Sequence, residues 1–68
     1  MPTKTVEKII DTTLGKHLSI IINYGRWEFR EEVPVPQNYQ IDKNSEQYKL
    51  CKNRLIYSIR KKIPHYAD

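Results

Sequence analysis

A chain of 68 residues with 38% hydrophobic content and a mean hydropathy of −0.74 has room for one small domain with a thin core. One cysteine excludes an intrachain disulfide, and one Cys with two His excludes a cysteine-type zinc site. Twelve Lys and Arg against eight Asp and Glu leave a net charge of +4, which favours an acidic partner: nucleic acid, an anionic surface or an acidic protein groove.

Residues 3–14, TKTVEKIIDTTL, carry two conflicting signals. Val6, Ile9, Ile10, Thr13 and Leu14 follow the i, i+3, i+4, i+7, i+8 spacing of a helical stripe. Thr3 or Thr5 would then be the N-cap, and Gly15 with Lys16 the stop. Yet seven of the twelve residues are Thr, Val or Ile, which resist helix and suit strand. The stripe favours a helix. The alternative is a first strand turning at Leu14-Gly15-Lys16-His17 into a three-stranded meander.

Residues 18–35, LSIIINYGRWEFREEVPV, read as a β-hairpin. Leu18, Ile20, Ile22 and Tyr24 alternate with Ser19, Ile21 and Asn23. Beyond Gly25-Arg26, Trp27, Phe29, Val33 and Val35 alternate with Glu28, Arg30, Glu32 and Pro34. Gly at the first central position of a two-residue turn predicts type II′. That turn sets Tyr24 against Trp27, Ile22 against Phe29, Ile20 against Glu31 and Leu18 against Val33. One face is then apolar except for Glu31, and Trp27 belongs to the core. The other face is mostly polar. Pro34 and Pro36 mark an edge or a strand end. A lone hairpin is too weak to stand, so another element must cover its apolar face.

Residues 36–44 form a loop in which Tyr39 and Ile41 are the expected anchors. Residues 45–63 give the clearest helix. Asn44 with Gln47 three positions on has a capping-box pattern. Glu46 in the first turn and Arg60, Lys61 and Lys62 in the last match the helix dipole. Pro64 ends the helix. Tyr48, Cys51, Leu55, Ile56, Ile59 and Ile63 gather on one side and are the natural cover for the hairpin, with Lys52 snorkelling beside them. The expected fold is therefore α+β: an antiparallel hairpin-based sheet of two or three strands, covered on one face by a C-terminal helix.

The helix face opposite that stripe collects Lys49, Arg54, Tyr57, Arg60 and Lys61, with Leu50 among them. Cations neutralise phosphates, and a Tyr ring offers a plane for a base to stack on. Only Glu46 opposes them in sign within the helix. Most charge-rich helix faces are simply solvated, and that is the bland alternative here.

Catalysis lacks an inventory. His17 and His65 lie far apart in the chain, and Glu31 and Glu32, being adjacent in a strand, point to opposite faces. Two glycines, Gly15 and Gly25, make no phosphate-cradling loop. Cys51 has no base placed beside it by sequence and reads as a small apolar helix residue. No cofactor is expected. The start MPTKTVEK lacks an apolar signal region, and the apolar run Ile20–Ile22 is too short to cross a membrane, so a cytoplasmic protein with no membrane partner is expected.

The order helix or strand, hairpin, helix superficially resembles small double-stranded-RNA-binding modules. The sequence departs from them in showing two clear strands rather than three. Its Lys pair also stands at the end of the last helix rather than the start, so no residue role is carried over. The leading expectation is a small non-enzymatic protein that binds nucleic acid through the basic face of residues 49–61. The alternative is a protein-binding module, such as a small regulator or an inhibitor of the kind phages and mobile elements encode, acting through the hairpin edge or through the same basic helix face against an acidic protein surface. A homodimer or a subunit of a larger assembly is the third expectation.

Overall fold

The computed structural model describes residues 3–67. Three antiparallel strands, β1 (Thr3–Thr12), β2 (Gly15–Tyr24) and β3 (Trp27–Pro34), form a sheet in the order β1-β2-β3, and one helix, α1 (Glu46–Lys62), follows. The architecture is the α+β arrangement expected, with the strand count at three.

The β2–β3 register is the one that the turn implied: Tyr24 pairs with Trp27, Ile22 with Phe29, Ile20 with Glu31 and Leu18 with Val33. Gly25 takes φ +60, and no described non-glycine residue has positive φ. A type I′ turn needs positive φ at both central residues and II′ at the first alone, so the turn has the II′ signature.

Residues 3–14 are not helical, which corrects the reading that the stripe favoured. Residues 3–12 are strand β1, paired with β2 from Thr3 opposite Tyr24 to Thr12 opposite Gly15. The physical reason lies in β2. Ile20 and Ile22 are fully buried on one of its faces and Ile21 is buried on the other, the profile of a central strand. A central strand needs backbone partners along both edges. The Thr/Val/Ile-rich segment supplies the second one, whereas a helix there would leave that edge of β2 unpaired. The turn is also displaced from Leu14-Gly15-Lys16-His17. It is centred on Thr13 and Leu14, and Gly15 opens β2 with φ +115. A positive-φ glycine just after two ordinary turn residues is how a three-residue hairpin loop closes. Leu14, read as an apolar stripe residue, projects into solvent at 89% exposure.

Helix α1 packs on β3 and β2. The core comprises Leu18, Ile20, Ile22 and Val33 from the sheet, Tyr48, Cys51, Leu55 and Ile59 from the helix, and Tyr66 from the tail. Ile56 and Ile63 flank it half-buried. The inward face of β1 offers Thr5 and Glu7 beside Ile9, which explains why the helix settles over the other two strands. It reaches β1 through the Tyr48 hydroxyl, which donates to the Glu7 carboxylate.

Trp27 is the second correction. It is 45% exposed and stacks on Phe29, with ring centroids 6.1 Å apart and planes 20° from parallel. As the first residue after the turn it lies at the end of the sheet, where Tyr66 covers Tyr24 edge-on at 5.6 Å but leaves Trp27 partly open.

Candidate nucleic-acid interface

The position of the basic face follows from how α1 begins and ends. Asn44 was the expected cap, but Ser45 takes the role: its Oγ accepts from the Tyr48 N–H at 3.2 Å. The same hydroxyl donates to the Asp42 carbonyl at 2.7 Å and lies 2.7 Å from the Tyr39 hydroxyl. Asp42 has drawn Asn44 into its own turn, since its Oδ1 accepts the Asn44 N–H at 2.9 Å. An Asx turn thus competes for the segment and moves the cap one residue on. At the far end the Ile63 N–H reaches the Ile59 carbonyl at 2.7 Å, Pro64 stops the helix, and the Tyr66 N–H bonds the Ile63 carbonyl at 3.0 Å.

With the apolar stripe fixed on the sheet, Lys49, Arg54, Tyr57, Arg60 and Lys61 all lie on the exposed side of α1. At about 100° per residue they cover a little over a third of the helix circumference. Tyr57 is 67% exposed, and Leu50, 47% exposed, lies one turn before Arg54. The Lys61 ammonium sits 4.8 Å from the centroid of the Tyr57 ring, a cation–π arrangement that holds both groups at the surface. Arg60 is partly committed: its Nε–H donates to the Tyr66 carbonyl at 3.1 Å and so fastens the tail. Among the described residues, no carboxylate lies within ion-pair range of Lys49, Arg54, Arg60 or Lys61. The five expected site residues therefore share one solvent-facing surface. Trp27, assigned to the core by its alternation, is the exposed aromatic that this reasoning missed. Its place next to the turn was the available signal.

The remaining chemistry-bearing groups do not converge. His17, beside the first turn, has Nδ1 3.3 Å from Thr12 Oγ1 and 3.2 Å from the Gly15 carbonyl, while His65 stands exposed in the tail. Glu31 is half-buried on the helix side, with Oε1 accepting from the Glu32 N–H at 3.3 Å, and Glu32 points the other way. The two border a shallow open depression with Arg30. Cys51 is fully buried, and its Sγ donates to the Glu31 carbonyl at 3.4 Å. Burial pushes the thiol up to about 11, so it is protonated and shielded, the opposite of an activated nucleophile. Among the described residues, no three His, Cys, Asp or Glu side chains come together as a metal site. Nor is any helix of the described residues long and apolar enough to cross a membrane. No protein-family model, curated protein or solved structure matches the chain.

Proposed function

We propose that this protein binds nucleic acid, without catalysing a reaction, through the outer face of α1. Lys49, Arg54, Arg60 and Lys61 contact phosphates, and Tyr57 offers its ring to a base or a sugar. The observation that carries the reading is the pairing of unneutralised cations with an exposed ring: Tyr57 is 67% exposed, has Lys61 over it, and lies on a face that no described carboxylate neutralises. Exposed aromatic planes among cations suit a polyanion with stackable bases. A contact of this kind reads backbone charge rather than sequence.

Fluorescence anisotropy of labelled single- and double-stranded DNA and RNA tests it. If four cations each neutralise one duplex phosphate, affinity falls about 100-fold between about 50 and 200 mM salt. Replacing Lys49 and Arg54 with Ala, or Arg60 and Lys61, weakens binding to all sequences alike and flattens the salt slope. Absence of binding at the lower salt, or unchanged binding in both double variants, refutes the proposal. The second reading is a protein-binding module that docks the same face on an acidic protein surface. It is favoured by Leu50, whose 47% exposure adds an aliphatic contact of the kind found in protein interfaces. Retention of an acidic protein partner by a chain that binds no nucleic acid would select it.

A further inference from the structure

The sheet face turned away from α1 is built as a regular grid. Its rows across β1, β2 and β3 are Lys4–Asn23–Glu28, Val6–Ile21–Arg30, Lys8–Ser19–Glu32 and Ile10–His17–Pro34. No described element packs on it. The β1 column carries Lys4 and Lys8, and the β3 column carries Glu28 and Glu32 with Arg30 between them, its guanidinium 3.5 Å from the Glu28 carboxylate. Ile21 lies beside half-buried Val6 in the central strand, and half-buried Ile10 stands two rows away. Ser19, in the middle of the central strand, is 1% exposed, and its Oγ has no hydrogen-bond partner among the described residues. A buried hydroxyl left unpaired costs about 1–3 kcal/mol, so its presence there calls for a partner.

We infer that this face binds a second copy of the same chain, sheet against sheet, about a twofold axis running parallel to β2. The charge pattern selects both the occupant and the axis. A twofold perpendicular to the strands would lay β1 over its own copy, Lys upon Lys. A twofold along β2 lays β1 of one copy over β3 of the other and keeps the rows in step. Lys4 then meets the partner's Glu28 and Lys8 meets the partner's Glu32, twice over by symmetry, while Ile21 meets Ile21 at the centre. Ser19 faces its own copy beside the axis. Sheets stack about 10 Å apart, which leaves the two hydroxyls too far apart for a direct bond but at the span of one bridging water, to which each can donate or from which each can accept.

Three strands about 4.8 Å apart and four rows about 7 Å apart present a patch that, counted on both copies, buries on the order of 1,000 Å². That is the lower bound for a specific interface, so the dimer is a reversible one. Lysines on an edge strand also discourage edge-to-edge pairing. That role explains Lys4 and Lys8, and the ion pair with Arg30 accounts for Glu28, but neither accounts for Glu32 opposite Lys8 or for Ser19. The dimer stacks helix, sheet, sheet and helix, with one α1 outer face on each side, and it does not depend on what those faces bind.

Sedimentation equilibrium without nucleic acid, from about 10 to 500 μM protein, reads the association. The wild-type chain is expected to be mainly dimeric at the top of that range. Lys4→Glu with Lys8→Glu sets like charges opposite one another and gives a monomer, as does Glu28→Lys with Glu32→Lys. An equimolar mixture of the two double variants restores the dimer, because every cross-axis pair in the heterodimer is again of opposite sign. Amide shifts in the wild-type chain give a readout that needs no variant. On dilution, Val6, Ser19 and Ile21 move while residues 49–61 stay. A wild-type monomer at 500 μM, double variants that dimerise unchanged, a mixture of folded variants that stays monomeric, or dilution shifts confined to the helix would each overturn the inference.

Discussion

Truncating the smaller side chain should harm this domain more than truncating the larger. Leu55 is fully buried in the middle of the helix–sheet interface, whereas Trp27 is 45% exposed at the sheet end. Leu55→Ala removes buried methyl groups and leaves a cavity between rigid elements, which costs about 3–5 kcal/mol. For Trp27, about half of some 250 Å² is withdrawn from water, roughly 3 kcal/mol at ~25 cal/mol per Å². Residual burial in the unfolded chain and the Cβ that Ala retains bring the loss for Trp27→Ala down to about 1–2 kcal/mol. A domain of this size has only about 3–10 kcal/mol in total. Urea unfolding followed by far-UV circular dichroism separates the two. With a slope of about 1 kcal/mol per M, Trp27→Ala lowers the midpoint by about 1–2 M, and Leu55→Ala lowers it by about 3 M or abolishes the folded baseline. Because Trp27 is the chain's one tryptophan, its native emission should already resemble that of a solvated indole and shift little on unfolding. Equal or larger destabilisation by Trp27→Ala, with strongly blue-shifted native emission, would refute the placement of Trp27 and with it the limit of the core.

Ser45→Ala removes the acceptor for the Tyr48 N–H and the partner of the Tyr39 hydroxyl, and should cost about 1 kcal/mol in a thermal melt, with Ser45→Asp recovering most of it. If Asn44 were the cap, Asn44→Ala would be the costlier change. Cys51 should resist thiol reagents near pH 8 in the native protein and react at once in urea, since it is buried and its thiol is raised from an ordinary value of about 9 to about 11. The sign follows from linkage: the folded state holds the proton more tightly, so the contribution is fully present below about pH 9 and is lost as pH rises toward 11. Within that window stability should fall by up to about 1.4 kcal/mol per pH unit, and Cys51→Ala should remove that part of the slope.

Local signals alone determined the hairpin and the helix. Gly25 between two alternating runs dictates the turn, the turn dictates the register, and the period of 2 places Ile20 and Ile22 on one face. A stripe at helical spacing ended by Pro64 dictates which side of residues 46–62 turns inward, and therefore that Lys49, Arg54, Tyr57, Arg60 and Lys61 turn outward together. Tertiary structure decided what local signals left balanced or misassigned. Residues 3–12 became a strand because β2 needed backbone partners on its second edge, a demand that no stripe within residues 3–14 reveals. Asp42 claimed Asn44 and passed the cap to Ser45, a competition between neighbours of equal capping propensity. Trp27 shares its face with the core residues yet lies beyond the helix that covers them, because alternation reports which face a side chain is on and not how far along that face the cover extends. The outward grid of Lys, Ser and Glu is tertiary throughout: its two charged columns lie in strands far apart in the chain and share one face only because β2 pairs with both, one on each side.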